Sequence, residues 1–309
     1  MITYYYKNLR AKQVSQPDAY KPGSWVYVEA PTPEEIDSLV KRFKLEKGHV
    51  EDALDPDEMP RLEKEGELTY LFIRYAHTDA KGELTTSPLL FIVGGDLLIT
   101  VAQRGLPQLQ RFIDGKVDFT TTQRTRLMLT ILDQIVDRYE VLINRVGRQI
   151  NAIRSRLKGH QINNQDFVDF VVIEDELNEF LSALEPTTAI LRRMLMGKHI
   201  QLFEEDQDLV EDLLLNNVQS IEACHAHVKS ITSIREAYST IASNNLNHTM
   251  KLLTAATVLI TLPNVIFGMY GMNVDLPFQN EPWTYAAIVA TSITLCLVVL
   301  TIGRRRNLF

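Results

Sequence analysis

Two uncharged stretches near the C-terminus dominate the hydrophobic pattern of the chain. The first runs from Leu252 to Tyr270 and the second from Trp283 to Gly303, and neither contains Asp, Glu, Lys or Arg. At a rise of about 1.5 Å per residue, a helix of either length crosses a hydrocarbon core of about 30 Å. The pattern therefore predicts two transmembrane helices, 252–270 and 283–303, joined by a short loop, 271–282.

The charges that flank these stretches predict their orientation. Lys251 precedes the first stretch and Arg304–Arg306 follow the second, whereas the loop carries acidic residues and no basic ones. Basic flanks stay on the cytoplasmic side of a membrane. Since the chain starts without a basic and apolar leader, no cleaved signal is predicted. We expect a multi-pass protein of the cell (inner) membrane with both termini, including the tail 304–309, in the cytoplasm.

Residues 1–117 alternate between short β-rich runs and turn residues, which predicts a mixed α/β domain. The capping box at Thr32–Glu35 opens a helix that extends to about Lys44. A second short helix is expected around Val50–Leu54. The predicted strands are Ile2–Tyr6, Trp25–Glu29, Leu68–Arg74, Leu89–Val93 and Leu97–Val101.

Residues 118–202 follow a helical period and predict two long antiparallel helices. Apolar residues recur at spacings of three and four from Leu127 to Val146, so one helix is expected to about Lys158. The second is expected over Gln165–Met196, with turns at Gly159–Asn164 and Gly197–His199. The acidic residues of the second helix are interpreted as a solvated face: Glu174, Asp175, Glu176 and Glu179.

A third helix is predicted from near Glu204 with no stop before the membrane, so residues 203–251 form a stalk that continues into the first transmembrane helix. A heptad-like seam supports it, and a helix this long needs neighbours side by side. The seam therefore favours oligomerisation. Its members are Leu214, Asn217, Ile221, Cys224, Val228, Ile231 and Tyr238.

One face of the first transmembrane stretch is polar. Its members, spaced three and four residues apart, are Asn247, Met250, Thr254, Thr257, Thr261, Asn264 and Gly268. Such side chains are unfavourable against lipid, so they face either neighbouring helices or water in a pore, and both readings stay open. Because two helices cannot enclose a pore, the second reading requires several subunits. The opposite face is expected to hold Leu252, Leu259, Leu262 and Ile266.

Composition and motifs narrow the classes of function that remain for this chain. The net charge of −7 does not favour nucleic acid as a partner. No nucleophile–base set or phosphate loop occurs, so an enzyme and a cofactor are not expected. Cys224, His225 and His227 could suggest zinc, but the two histidines point to different faces of a helix, and helix surface is the preferred interpretation. The two predicted transmembrane helices leave a transporter or a membrane-anchored coiled-coil scaffold, and the polar stripe argues against the scaffold.

The loop begins with Tyr270-Gly271-Met272-Asn273, directly after the penultimate stretch and before a final stretch with a basic tail. In this position the motif resembles the signature of the CorA-type magnesium transporters. Weaker similarity extends to Asn247, Met250–Thr254, Val50–Leu54 and Pro60–Glu63.

The resemblance implies a funnel-shaped homopentamer in the membrane that transports magnesium, driven by the membrane potential and gated by cytoplasmic magnesium. Asn273 would form the outer selectivity ring with the Gly271 backbone beside Met272. The inner pore would be lined by Asn247, Met250, Leu253 and Thr257. Asp52 and Asp212 would bind regulatory magnesium between subunits, and the acidic run that Asp212 closes is a candidate gate: Glu204, Glu205, Asp206, Asp208, Glu211 and Asp212.

The loop departs from the family pattern after the signature. Members commonly continue with Met-Pro-Glu, whereas this chain continues Val274-Asp275-Leu276-Pro277 and reaches an acid again at Glu281. The departure leaves the choice among magnesium, cobalt, nickel and zinc open. A proton-coupled zinc transporter with the same architecture is therefore the alternative function.

Overall fold

The computed structural model describes residues 1–80, 82–158, 164–197, 200, 202–274, 276–278 and 280–305, with the backbone alone for residues 157, 158 and 164. Two compact units result, Met1–Thr232 and Ser233–Phe309. The strands are β1 (Ile2–Tyr5), β2 (Trp25–Glu29), β3 (Arg61–Glu65), β4 (Leu68–Thr78), β5 (Leu84–Gly94) and β6 (Leu97–Ala102). The helices are α1 (Pro33–Phe43), α2 (Lys47–Asp52), α3 (Leu109–Ile113), α4 (Arg124–Lys158), α5 (Asn164–Leu195), α6 (Glu204–Tyr270) and α7 (Thr284–Arg305).

The first unit is built on a six-stranded sheet in the order β1-β2-β6-β5-β4-β3. All neighbouring strands are antiparallel except β2 and β6, which are parallel. The β5–β6 turn depends on glycine, because Gly95 has a φ of 48° and a Cβ on Gly94 would lie 2.5 Å from the Glu67 carbonyl oxygen. The predicted strands are confirmed, but β3 was missed because its Arg-Leu-Glu-Lys-Glu sequence is too charged to read as a strand.

Helices cover both faces of this sheet. On one face α1 and α2 pack Ile36, Leu39 and Val50 against a core that includes Phe72 and Ile92. Thr32 caps α1 in the predicted capping box. On the other face lie α4 and α5, and the buried Tyr139 hydroxyl of α4 donates a hydrogen bond to the Arg74 carbonyl, 3.1 Å away.

The acidic residues of α5 are not all solvated, contrary to the sequence prediction. Glu179 accepts a 2.6 Å hydrogen bond from the Thr86 hydroxyl and forms an ion pair with the buried Arg74 at 3.3 Å. Glu176 accepts a 2.8 Å bond from the Leu84 N–H, and burial raises the pKa of this carboxyl. These carboxylates attach α5 to β4 and β5, which helical periodicity alone could not show.

Helix α4 ends at Lys158, and α5 begins at Asn164 and runs through Pro186. Beyond α5, Gly197 has a φ of 68° and donates its N–H to the Met194 carbonyl, which ends the helix as the predicted break requires. The rest of that break, Lys198 and His199, and the predicted turn before Asn164 lie outside the described residues.

Helix α6 is continuous from Glu204 to Tyr270, as predicted, but its seam has a different partner from the one expected. Asn217 is fully buried, and its Nδ2 donates to the Leu184 carbonyl at 2.8 Å and to the Thr188 hydroxyl at 2.7 Å, both on α5. The buried positions repeat as a heptad: Asp206, Val210, Leu213, Asn217, Ser220, Cys224, Ile231 and Ile234. Of the predicted seam, Asn217, Cys224 and Ile231 are therefore buried within the single chain, while Leu214, Ile221, Val228 and Tyr238 are half-buried, so the seam by itself no longer argues for oligomerisation.

The second unit contains the end of α6 and all of α7, and both helices are long and apolar enough to cross a membrane. On α7 Thr284, Ser292 and Gly303 are buried, and half-buried residues that include Ile288, Cys296 and Val299 continue the same stripe. On α6 the covered residues are Ala255, Leu259, Leu262, Pro263 and Ile266. Leu252, which the sequence places on the same face as these residues, is 51% exposed.

Candidate cation pathway and regulatory carboxylates

The predicted pore residues lie on a face of α6 that is open in the single chain. Asn247, Thr257, Thr261 and Asn264 are exposed, whereas Ala255 on the adjoining face is buried. Met250 and Leu253 are 52% and 60% exposed. The polar stripe is therefore not used for packing against α7, and within the described residues no helix of this chain covers it. That leaves another subunit or an aqueous pathway as its environment.

The threonine hydroxyls of this face bond to their own helix. Thr254 donates to the Met250 carbonyl at 2.8 Å, Thr257 to Leu253 at 2.9 Å and Thr261 to Thr257 at 2.7 Å. Each hydroxyl has one donor and two acceptor lone pairs, so the donor is used inside the helix and acceptor capacity remains outside. A row of outward acceptors suits the water molecules of a hydrated cation, which donate hydrogen bonds.

The Gly-Met-Asn motif forms the turn that ends α6. The Gly271 N–H donates to the Phe267 carbonyl at 2.9 Å, and the Met272 N–H donates to Met269 at 3.4 Å. Both bonds turn the chain at the helix end, and Asn273 follows as an exposed residue. The motif therefore presents its carboxamide at the end of the polar stripe.

The rest of the loop leads directly into α7. The Thr284 hydroxyl donates a 2.5 Å hydrogen bond to the Phe278 carbonyl, and the rings of Phe278 and Trp283 lie 5.5 Å apart. Phe278 has a φ of 61°, a left-handed conformation that is rare for an aromatic residue. Asp275, one of the two acids expected here, lies outside the described residues.

Asp52 lies at the end of α2 in a network of charged side chains. Its Oδ2 is 2.7 Å from Nη2 of Arg61 and 4.0 Å from Nδ1 of His49. Arg61 also pairs with Glu58 and Glu63, and its guanidinium lies 3.9 Å from the centre of the Phe72 ring. An arginine thus neutralises the predicted magnesium ligand within the chain, and any bound cation must compete with it.

Asp212 lies on an exposed face of α6, opposite acidic residues of α4. Burial, followed by the charges of Asp137 and Asp212, raises the pKa of the Asp133 carboxyl, and a bond from Gln134 partly offsets this. The single chain does not bring Asp212 to Asp52, so the predicted pairing between subunits remains a prediction. The roles of Asp133, His49 and Arg61 did not follow from the sequence: Asp133 on α4 meets Asp212 on α6, far along the chain, and His49 and Arg61 reach Asp52 only through the packing of α2 against β3.

The acidic run at the start of α6 is partly paired. Oε2 of Glu205 is 2.8 Å from Nη1 of Arg126 on α4, and Oδ1 of Asp206 is 3.9 Å from the same atom. Asp206 is buried, so it belongs to the packing of the helix N-terminus. Within the part of the chain that the structure describes, no group of three or more His, Cys, Asp or Glu side chains could hold a metal ion.

The cysteine and histidines of α6 separate as the sequence predicted. Cys224 is fully buried, and burial raises its pKa to about 12, which keeps the thiol protonated. His225 is exposed, with its Nε2 3.6 Å from Glu185. His227 packs against Gly147, where an added Cβ would lie 2.7 Å from the imidazole, and burial lowers the pKa of that ring.

The sequence model of the family described as "CorA-like Mg2+ transporter protein" matches residues 21–305. The chain therefore belongs to this family of membrane transporters, as the resemblance predicted, and it is a transporter rather than an enzyme.

Two relatives match over nearly their whole length. The chain is 24% identical over 288 residues to the cobalt/magnesium transport protein CorA of Methanocaldococcus jannaschii, covering 91% of this chain and 90% of that protein. It is 23% identical over 295 residues to the magnesium transport protein CorA of Wolinella succinogenes, covering 90% and 86%.

Solved structures support the fold independently. The complete CorA magnesium transporter of M. jannaschii matches with a TM-score of 0.87 at 20% identity, over 99% of this chain and 98% of that chain. The full-length CmaX protein matches with a TM-score of 0.77 at 18% identity, over 96% and 97%. The predicted architecture, an α/β domain with long helices and two apolar C-terminal helices, is confirmed.

Proposed function

We propose that this protein is a channel-like transporter that carries magnesium across the inner (plasma) membrane. The observation that carries the proposal is the open polar face of α6, which ends at Gly271, Met272 and Asn273. Membership of the CorA-like family supports the same conclusion. Residues 252–270 and 283–303 would cross the membrane, with residues 1–251 and 304–309 in the cytoplasm.

The pathway requires several copies of the chain. One pair of helices cannot surround a channel, and the polar face of α6 turns away from α7 within the chain. We propose a homopentamer, the assembly that the family resemblance implies, in which α6 lines the central pore and α7 lies outside it, toward lipid. The exposed apolar side chains of α7, among them Ile293, Leu297 and Ile302, fit a lipid environment.

A ring of Asn273 carboxamides would select the ion at the outer end. Magnesium releases its bound water reluctantly, so a neutral amide oxygen can accept hydrogen bonds from that water without removing it. Neutral ligands also avoid binding a divalent ion too tightly for it to leave. The acceptor lone pairs of Thr257 and Thr261 would then continue the same interaction along the pore.

The membrane potential suffices to drive entry. A divalent ion that crosses about 100 mV toward a negative interior gains about 5 kcal/mol, twice the value for a single charge. The protein then has to supply a pathway and a gate.

We propose that cytoplasmic magnesium closes this gate by binding between subunits at Asp52 and Asp212. Asp212 is exposed and shares an acidic surface with Asp133, so a cation bound there would reduce electrostatic repulsion. At Asp52, Arg61 already supplies a positive charge 2.7 Å away. Magnesium would therefore act at Asp52 by displacing or sharing that arginine.

Ion flux into liposomes that contain only the purified protein tests the proposal. We expect magnesium uptake that follows an inside-negative potential and does not change when a pH gradient is imposed. The alternative function is a proton-coupled zinc transporter, because the loop after Asn273 departs from the family pattern. Zinc uptake that requires the pH gradient, without magnesium uptake, would overturn the magnesium proposal in favour of that alternative.

A further inference from the structure

Proline interrupts the hydrogen bonding of α6 inside its apolar segment. Pro263 has no N–H, so the Leu259 carbonyl, four residues earlier, lacks its regular helical donor. In a hydrocarbon environment a free carbonyl is costly, and neighbouring helices commonly supply the missing donor.

The missing donor comes from α7. The Sγ of Cys296 lies 3.7 Å from the Leu259 carbonyl oxygen, which is a hydrogen bond from a thiol. Cys296 is half-buried in the middle of the covered stripe of α7, and Leu259 lies in the covered stripe of α6. The thiol is thus directed at the carbonyl that Pro263 leaves without its helical partner.

We infer that Cys296 is a positioning residue for ion transport, acting through its hydrogen bond to the Leu259 carbonyl. The bond joins α7 to α6 at the proline, directly below the segment with Thr261, Asn264 and the Gly271–Asn273 turn. Pro263 weakens the helix at this point, so the direction of the outer segment depends on what holds the Leu259 carbonyl. In this role Cys296 acts through the position of α6 and not as a ligand of the ion.

The neighbouring residues make this contact possible. Ser292 and Gly303 are buried on α7 and Ala255 is buried on α6, and small side chains let two membrane helices approach closely. The hydroxyls of Thr294 and Thr301 on α7 do not compete for the carbonyl, since they donate to carbonyls of their own helix. The inference rests on the proposed pore role of α6.

A double-mutant cycle between Cys296 and Pro263 tests the inference in the full-length protein in liposomes. Cys296→Ala removes the donor and should lower magnesium flux about three-fold, as expected for loss of a weak bond between membrane helices. It should also change the ratio of cobalt to magnesium flux, because the outer segment that carries Asn273 shifts. Cys296→Ser keeps a donor and should retain most of the flux.

Pro263→Ala restores an N–H to the Leu259 carbonyl, so the thiol should lose its role. In the Pro263→Ala background, Cys296→Ala should then cause no further change in flux or in the cobalt-to-magnesium ratio. Thr294→Ala is the matched control, because its hydroxyl bonds to Ala290 of its own helix.

Two results would overturn the inference while leaving the magnesium proposal intact: wild-type flux and ion ratio in Cys296→Ala, or an equal effect of that substitution with and without Pro263. Absence of magnesium flux in the wild-type protein would instead contradict the proposed function itself.

Discussion

Helix α6 places the same residue type in two opposite environments. Asn217, in the first unit, is fully buried and donates both to a carbonyl and to a hydroxyl of α5. Asn264, in the second unit, is exposed on a helix face that no described helix of the chain covers. An asparagine on an apolar helix can therefore be a packing residue or a candidate for the ion pathway, and only its neighbours distinguish the two.

Threonines also differ between the sheet of the first unit and the polar stripe of α6. The Thr86 hydroxyl bonds to Glu179, and the Thr100 hydroxyl accepts from Trp25 at 2.9 Å, so both link different elements. Thr257 and Thr261 donate to carbonyls of their own helix. The helix residue Thr187 of the first unit does the same, but Thr187 is buried, whereas Thr257 and Thr261 are exposed and keep acceptor atoms open.

The largest effect is expected at the end of the open stripe. Asn273→Ala should reduce magnesium flux to the level of protein-free liposomes, because the proposed ring of amide oxygens would be lost. Assembly, measured as the size of the detergent-solubilised protein, should not change. Asn280→Ala, in the same loop, is the control and should transport normally. Normal transport by Asn273→Ala would remove this residue from the selectivity filter.

The two asparagines of α6 should give opposite results when each is replaced. Asn217→Ala leaves the Leu184 carbonyl without this donor and should lower the free energy of unfolding by about 1–3 kcal/mol, with unchanged flux per folded protein. Asn264→Ala should change flux and leave unfolding nearly unaffected. Thermal unfolding and liposome flux are measured for both variants. Equal changes in stability and flux would contradict the distinction between Asn217 as a packing residue and Asn264 as a residue of the proposed ion pathway.

A smaller effect is expected in magnesium regulation. Asp212→Ala and Asp52→Ala should each require more magnesium to protect the first unit from protease, because a carboxylate ligand is lost. Asp212→Lys should hold the gate shut at low magnesium. Glu222→Ala, at another exposed position of α6, serves as the control. If all variants follow the wild-type magnesium curve, these aspartates are not the sensor.

The smallest effect concerns Asp133, whose pKa is raised from its ordinary value of 3.8. A raised pKa in the folded state means that the charged carboxyl opposes folding once the pH exceeds that ordinary value. Asp133→Asn should therefore raise the free energy of unfolding at neutral pH by no more than about 1 kcal/mol. The rise is measured as a higher midpoint of thermal unfolding. The gain should vanish well below pH 3.8, where the Asp133 carboxyl is protonated in both the folded and the unfolded state. A gain that persists there would mean that charge is not the cause.

Much of the architecture could be predicted from the sequence, through the periodicity of apolar residues and the position of the Gly-Met-Asn motif. The apolar repeat of α4, the length of α6 and the two apolar helices are local patterns, and local patterns follow directly from the helical repeat. The Gly-Met-Asn motif was informative because of its place between two apolar stretches. Strand β3 was missed because pairing with β4 outweighs its charged composition.

Tertiary structure decided which polar side chains form hydrogen bonds to another element. The sequence determined that α6 bears asparagines, threonines and acids at helical spacing, because spacing is a property of the chain itself. Whether such a residue bonds to α5, as Asn217 does, or stays open, as Asn264 does, depends on elements far away in sequence. The bond of Cys296 to the carbonyl freed by Pro263 likewise exists only once α6 and α7 meet, and even the pairing of Asp52 with Arg61, nine residues apart, requires α2 to pack beside β3.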